Sequence, residues 1–408
     1  MVTYVAHQRL LMGSPLRHRS VCLLISTGLA ILVGFASMLH LSLLASMRAD
    51  VVGVFLQALA ISSLLSLVPL SILWFLDRRE RETFSLYAAA FLWGGCIATA
   101  LSLPFNTAFF QIVDMWVAQN PVITEVLGPE AAMLIAAPIS APIAEEIAKA
   151  AGVLLLFWLL RDEFDNMRDG FVYGALIGVG FNWFEAALYV AQGYAQEGVA
   201  PYGLQLGVRY ALFGLGGHAM FTGLFGLSVG LAIQTKRMWL RVVAPFCGLI
   251  LAMLAHMINN ALPLFAALAS AEAGERPPQV EEVQELGFLA AFVSGSILQL
   301  IVFVPFLLII ALAVWRSGVW ERRVIREELA AEVGSLLSER EYQDIVADRM
   351  LRTRRIDEMH PQVSAALVNA QHELAFRKRR VRDEGNDPER DPIVAGWRED
   401  IRRLRAVA

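Results

Sequence analysis

Eight stretches of this chain stay apolar for longer than a soluble helix or strand requires. They run over residues 21–45, 51–76, 84–110, 131–160, 171–192, 205–233, 239–269 and 288–315. A helix crosses the hydrocarbon of a bilayer in about 20 residues. Backbone groups in lipid must be satisfied within their own segment, so these runs read as helices. The pattern predicts an all-α, polytopic membrane protein with about eight transmembrane helices. It divides the chain into a short N-terminus (1–20), a membrane-embedded core (21–315) and a C-terminal tail (316–408).

The polar residues between the runs set an orientation. The connections "DRRERE", "RDEFDNMRD" and "QTKRMWLR" are rich in Arg and Lys, whereas 111–130 and 193–204 carry neither and 270–287 carries only Arg276. Basic short loops stay on the cytoplasmic side. Counted from a cytoplasmic N-terminus, every basic loop falls inside, and eight spans return the C-terminus to that side as well. The first run follows Arg9, Arg17 and Arg19 but exceeds a signal-peptide core of roughly 7–15 residues. It reads as a retained first span.

The tail breaks the apolar pattern. It holds 19 of the 34 basic residues and 18 of the 38 acidic ones. Val324, Ile325, Leu329, Val333, Leu336 and Leu337 are spaced for one helical face. The tail therefore reads as a cytoplasmic amphipathic helical appendage, and "DEGNDPERDP", after about Arg382, as a flexible segment.

Composition sharpens this only in places. The chain is 57% hydrophobic and 18% charged, with a mean hydropathy of +0.54. The net charge of −4 points to no nucleic-acid partner. Its partners are the lipid bilayer and, if it is an enzyme, a substrate held in that bilayer; oligomeric state is not encoded in these patterns. Three cysteines (Cys22, Cys96, Cys247), each in an apolar run, exclude a disulfide framework and a thiolate metal site. Arginine outnumbers lysine 31 to 3, the bias of a high-GC bacterial proteome.

The informative residues are the ionisable ones inside the spans. Such groups are costly in lipid and face a bundle interior or a functional cavity. Span four carries Glu145, Glu146 and Lys149; span five Glu185; span six His218; span seven His256, Asn259 and Asn260. His40 and Gln299 are isolated examples elsewhere. Glu145 lies 16 residues before Arg161, Glu185 16 after Asp169, His218 18 before Lys236 and His256 15 after Arg241. At 1.5 Å per residue all four lie roughly 22–27 Å from the basic end of their helices, in one layer. His256 and Asn260 stand at i, i+4 and share a face. Lys149 stands at i+4 from Glu145 and i+3 from Glu146. By spacing alone Glu145 is the better partner, which leaves Glu146 free.

Three chemistries use such a set. A buried carboxylate can activate water as a general base, with His and Asn groups serving the leaving amine and the oxyanion. Glu and His can hold a metal, although HExxH is absent. Glu, Lys and His chains also form proton or ion pathways, but no inverted repeat or broken pair of spans accompanies them here.

Several of these residues stand in a familiar order. "LDRRERETFSLYAAAFLWGG", "APIAEEIAKA" with its EExxK pattern, "DGFVYGALIGVGFNWFEAALY", "GHAMFTGLFGLSVG" and "LAHMINNAL" together resemble the PrsW family of bacterial intramembrane proteases, over roughly residues 70–265. That family is related to the CAAX-processing and bacteriocin-processing enzymes. The resemblance implies a glutamate-dependent endopeptidase in the bacterial inner membrane, cutting a membrane-bound protein such as a single-span anti-sigma factor. It implies Glu145 as general base, Glu146 and Lys149 as its support, His218 on the catalytic water, and His256 and Asn260 on the oxyanion. Glu185 joins them in a supporting place. Catalysis is expected to need no cofactor; if zinc is used, Glu145, His218 and His256 are the expected ligands. One departure stands out: Ala186 follows Glu185 where relatives often carry Asn. A catalytically silent relative acting as a binding module is the alternative that this loss suggests.

Overall fold

The computed structural model describes residues 16, 18–47, 50–77, 84–160, 164, 166–274, 287–347, 356 and 359–406. The expectations for Arg9, Arg17, Arg276 and most of the "DRRERE" loop lie outside them. Among the described residues the chain is helical throughout, with a single isolated β-bridge between Val333 and Leu337.

Among the described residues eight helices are long and apolar enough to cross a membrane. They include α1 (Arg19–Met47), α2 (Val51–Leu76), α3 (Phe84–Ala118), α5 (Ala131–Leu159) and α6 (Met167–Glu197). A short α4 (Pro121–Leu127) links α3 to α5. After α6 come a short α7 (Tyr202–Arg209), α8 (His218–Gln234) and α9 (Met238–Glu272). Then follow α10 (Phe288–Val302) and α11 (Val304–Leu329). The chain is an all-α, multi-pass membrane protein.

Two expected spans are redrawn. The sixth does not begin near 205. Arg209 ends α7, a 3-10 turn at Ala211–Gly214 carries Leu212 and Phe213 at φ of 50° and 58°, and α8 starts only at His218. Glycines at 214, 216 and 217 permit the bend, with Gly214 and Gly217 at positive φ. The eighth does not run unbroken over 288–315. It bends at Phe303, ahead of Pro305, which lacks an N–H for the turn before it, and then continues to Leu329.

The centre of the bundle is α6, most of which is buried. Asn166 caps it in a box with Asp169. Its glycines allow backbone to meet backbone. A Cβ on Gly170 would stand 2.0 Å from the Gly226 carbonyl oxygen of α8, and one on Gly178 2.2 Å from that of His218. On another face, a Cβ on Gly180 would stand 1.9 Å from the Phe91 oxygen of α3. Small residues at this spacing let membrane helices pack closely where no hydrophobic drive separates protein from lipid. Opposite α6, α3 opens into a π-helical segment, Trp93–Ala98, whose residues Gly94 to Ala98 are buried.

The tail is more ordered than its composition suggests. The expected amphipathic face is interrupted by a 3-10 turn at Ala330–Glu332, and Val333 is only half-buried. Val324, Ile325, Leu329, Leu336 and Leu337 nonetheless enter one apolar core with residues of α12 (Glu339–Val346), α13 (Pro361–Asp383) and α14 (Pro392–Ala406). The segment expected to be flexible is a tight turn. Gly385 adopts φ 82°, Asn386 N–H donates to the Val381 carbonyl at 2.9 Å, and the Asp391 carboxylate accepts from the N–H groups of Ile393 and Val394 at 2.9 Å each. Trp397, Ile401 and Leu404 of α14 are then buried.

The tail is fastened to the bundle. Arg168 at the start of α6 pairs with Glu321 of α11, both buried. Ser317 donates to Asn166 Oδ1 at 2.7 Å, and Lys236, between α8 and α9, pairs with Asp383 at 2.8 Å.

Candidate active site

Pro138 and Pro142 lie on α5 just ahead of the two glutamates, yet the helix continues through them to Leu159. Glu145, Glu146 and Lys149 all face inward, with exposures of 5%, 1% and 0%. Lys149 Nζ donates to Glu146 Oε1 at 2.6 Å and stands 3.6 Å from Glu145 Oε2. The pairing is thus the reverse of what spacing suggests. Glu146 sits where three donors converge: Lys149, Thr222 Oγ1 of α8 (3.1 Å to Oε2) and His256 Nδ1 of α9 (3.0 Å to Oε1). Glu145 is the freer carboxylate. Its Oε1 accepts from Asn106 Nδ2 of α3 at 3.2 Å, and its buried Oε2 has no hydrogen-bond partner.

The histidines complete the cluster. Lys149 Nζ lies 3.0 Å from His218 Nδ1, and His218 Nε2 lies 2.8 Å from Glu185 Oε2. An ammonium can only donate, so His218 takes the tautomer with its hydrogen on Nε2, directed at Glu185. Likewise a carboxylate accepts, so the His256 hydrogen rests on Nδ1, toward Glu146. The lone pair of a neutral His256 Nε2 then faces Glu145 Oε2, 3.9 Å away. The two rings meet edge to face at 4.9 Å, and His256 stacks on Phe221. Lys149 also lies over the Phe181 ring, 3.9 Å from its centre. Arg209 of α7 closes the layer, 3.4 Å from Glu185.

The residues expected to share a layer are therefore in one connected network drawn from α5, α6, α8 and α9. Asn260 is the exception. It lies one turn beyond His256, but its amide donates to the Ala137 carbonyl at 3.3 Å and its Oδ1 accepts from Asn259. His40 stays apart, bonded to the Ala36 carbonyl, and Gln299 lies against Gly216. Ala186 is wholly buried in an apolar cluster.

Three members of the network were not singled out from sequence: Asn106, Thr222 and Arg209. Thr222 had a signal, since it follows His218 by four residues. Asn106 had a weaker one, as an amide in the interior of an apolar run.

The charges do not balance within this group. Glu145, Glu146 and Glu185 face two permanent cations, Lys149 and Arg209, in surroundings that solvate ions poorly. One proton at Glu145 would restore neutrality, and a divalent cation there would turn the excess positive. Ligand atoms of Glu145, His218 and His256 lie within 4.8 Å of one another. Two imidazoles and a carboxylate are a donor set that zinc accepts, and Glu185 and Glu146 would orient the rings from behind. These residues fit a divalent cation, provided that His218 Nδ1 exchanges Lys149 for it.

Comparisons with known proteins identify a family. The family described as "PrsW family intramembrane metalloprotease" matches residues 82–310, more than half of the chain and further toward the C-terminus than the motifs extend. Protease PrsW of Geobacillus kaustophilus (strain HTA426) is 28% identical over 182 residues, which span 43% of this chain and 69% of that protein. No solved structure matches. With glutamates, histidines and lysine joined in the apolar interior and a family match over that interior, this chain belongs to the PrsW family of intramembrane proteases.

Proposed function

We propose that this protein is an endopeptidase of the bacterial inner membrane, with both termini cytoplasmic, that hydrolyses a peptide bond of a membrane-bound protein in the outer half of the bilayer. The observation that carries the mechanism is the buried Oε2 of Glu145, which accepts no hydrogen bond, beside the His256 imidazole. A single-span protein such as an anti-sigma factor is the substrate class that suits a site enclosed by helices.

Glu145 Oε2 takes a proton from water as the oxygen attacks the scissile carbonyl carbon. The carbonyl π electrons move onto its oxygen, and the Asn260 amide, released from Ala137, donates to that oxyanion. The oxyanion then re-forms the carbonyl as the C–N bond breaks, and the leaving nitrogen takes the proton by way of His256 Nε2, which leaves an acid and an amine. An oxyanion role for His256 itself requires the doubly protonated ring, because the neutral ring presents a lone pair on that side. Glu146 and Lys149 hold each other and the imidazoles in place.

A second reading rests on the donor set of Glu145, His218 and His256. A divalent cation held there would polarise the carbonyl and acidify a bound water. Elemental analysis of the purified active protein separates the two: stoichiometric zinc, lost together with activity on chelation, supports the metal, and full activity at trace metal removes it.

The activity is tested in cells. Single-span proteins encoded beside the gene are tagged at both ends and followed by immunoblot with wild type, Glu145→Gln, Glu146→Gln and His256→Ala. Cleavage by wild type should fall on the order of 10²-fold or more with Glu145→Gln. Wild-type cleavage by that variant would remove Glu145 as the base. Rescue of a deletion phenotype by Glu145→Gln would instead support a non-catalytic binding role.

A further inference from the structure

Asn106 belongs to no motif, yet its side chain reaches the centre of the site. Its only side-chain hydrogen bond is the donation from Nδ2 to Glu145 Oε1 at 3.2 Å. Its own carbonyl, Oδ1, is buried with no partner. A buried acceptor without a donor costs about 1–3 kcal/mol. The reverse orientation of the amide would set two acceptors face to face. A leucine of nearly the same shape would remove the orphaned Oδ1 and in exchange leave Glu145 Oε1 without its donor, so the two costs offset and Asn106 adds little net stability.

What the amide does is choose between the oxygens of Glu145. It occupies Oε1 from the α3 side, which leaves Oε2 turned toward His256 and Lys149. The helix carrying it is adapted to that end. Six residues before the helix regains α geometry at Thr99 are wound as a π segment. Such a segment carries one residue more than the α-helical turn it replaces, and each residue is worth about 100° of rotation. Without it, Asn106 would point about 100° away from α5. Segments of this kind occur often at functional sites.

We propose that Asn106 is the positioning residue for the reacting carboxylate: it pins Oε1 of Glu145 so that Oε2 alone is presented to water. This rests on Glu145 acting as the base. It acts through Glu145 and makes no contact with the peptide. The signature is a separation of activity from stability.

The test uses the purified full-length protein, the tagged single-span protein that wild type cleaves, and the variants Asn106→Leu, Asn106→Gln, Glu145→Asp and Glu145→Gln. Asn106→Leu should lower kcat on the order of 10–100-fold with KM within about twofold, while its unfolding temperature stays close to that of wild type. In a Glu145→Asp background the same change should cost much less, because the pinned group has already moved. Asn106→Gln, which keeps the donor, should recover part of the loss. Unchanged kcat in Asn106→Leu overturns the proposal, and so does a fall in unfolding temperature that parallels the fall in kcat, which marks a structural role. Equal losses in the wild-type and Glu145→Asp backgrounds overturn it too. An inactive Glu145→Gln beside a fully active Asn106→Leu removes only Asn106. An active Glu145→Gln removes the base assignment on which it stands.

Discussion

The membrane interior and the tail bury charge in opposite ways. In the interior, α6 and α8 meet through glycines with almost no side chain between them, and the ionised groups form one shared network with few alternatives. In the tail, large side chains such as Trp397, Phe376 and Leu374 fill the core. Its ions form several smaller groups that reach from the core to the rim: Arg405 with Glu341, Arg377 with Asp391, and Glu332 shared by the buried Lys378 and by Arg398, which also holds Glu389. Water supplies a hydrophobic drive for the second arrangement, whereas lipid supplies none for the first. The interior depends on close backbone approach, and the tail on apolar burial helped by many small electrostatic gains.

That contrast breaks most sharply at the glycines. Gly226→Leu places a side chain where a Cβ already comes within 2.0 Å of the Gly170 carbonyl, a backbone atom that no rotamer change relieves. Loss of the folded protein is expected, read as loss of the monodisperse peak on size exclusion. A folded, active variant would show that the two helices can part.

Next in size is Glu146→Gln. It removes the closest counter-ion of a fully buried lysine, a change that costs about 3–5 kcal/mol. Thermal unfolding in detergent checks it, with Glu145→Gln as the comparison. The glutamine at 146 should destabilise strongly, and the one at 145 should leave the unfolding temperature close to wild type while abolishing cleavage. Equal effects on stability would erase the division between the two carboxylates.

Acid should separate the regions more gently. Burial raises the Glu341 carboxyl, but hydrogen bonds from the Ser338 backbone and from Arg405 outweigh it and hold the group below the usual range. Burial likewise raises Asp391, and Arg377 with the N–H groups of Val394 and Ile393 carries it below. A carboxyl lowered in the folded state stabilises fully above its unfolded value, about 4, and that stability is lost as pH falls through the folded value. Amide exchange followed from pH 6 to pH 3 should show 361–406 losing protection before 167–197. Simultaneous loss would mean that the tail has no separate acid response.

The smallest change is Lys236→Ala. Its partner Asp383 is 2.8 Å away, but the lysine side chain is 72% exposed. An exposed pair contributes below about 1 kcal/mol. The unfolding temperature should move little, and a drop of many degrees would make this pair a principal fastening of tail to bundle.

How much of this was legible in the sequence follows from the same contrast. Spans were readable because lipid demands long apolar helices. Glu145, Glu146, Lys149, Glu185, His218 and His256 were readable because an ionisable group in such a helix is conspicuous. Asn106 and Thr222 were not, since neutral polar residues occur in spans for many reasons and their partners lie 39 and 76 positions away. The pairing of Lys149 was misjudged for a related reason: spacing within one helix ignores what His256 and Thr222 bring from other helices. In the tail, "DEGNDPERDP" looked structureless because its polar residues act locally, as caps and a glycine turn, and composition alone does not separate a cap from a loop.

The glycine contact between α6 and α8 has a consequence for entry. Two helices joined backbone to backbone cannot open between themselves without leaving a gap that nothing in either helix would fill. Glu185, His218 and Thr222 ride on that fixed pair. α3 is tied to α6 in the same way, by Gly180 against the Phe91 carbonyl, so an opening falls to α5 and α9, which meet α3 through larger groups: Trp93 reaches the Ala148 carbonyl, Asn106 meets Glu145, and Val113 and Val117 pack with Ala132 and Ala267. One wall of the site stays still while the other can part, and the wall that can part carries Glu145 and Glu146.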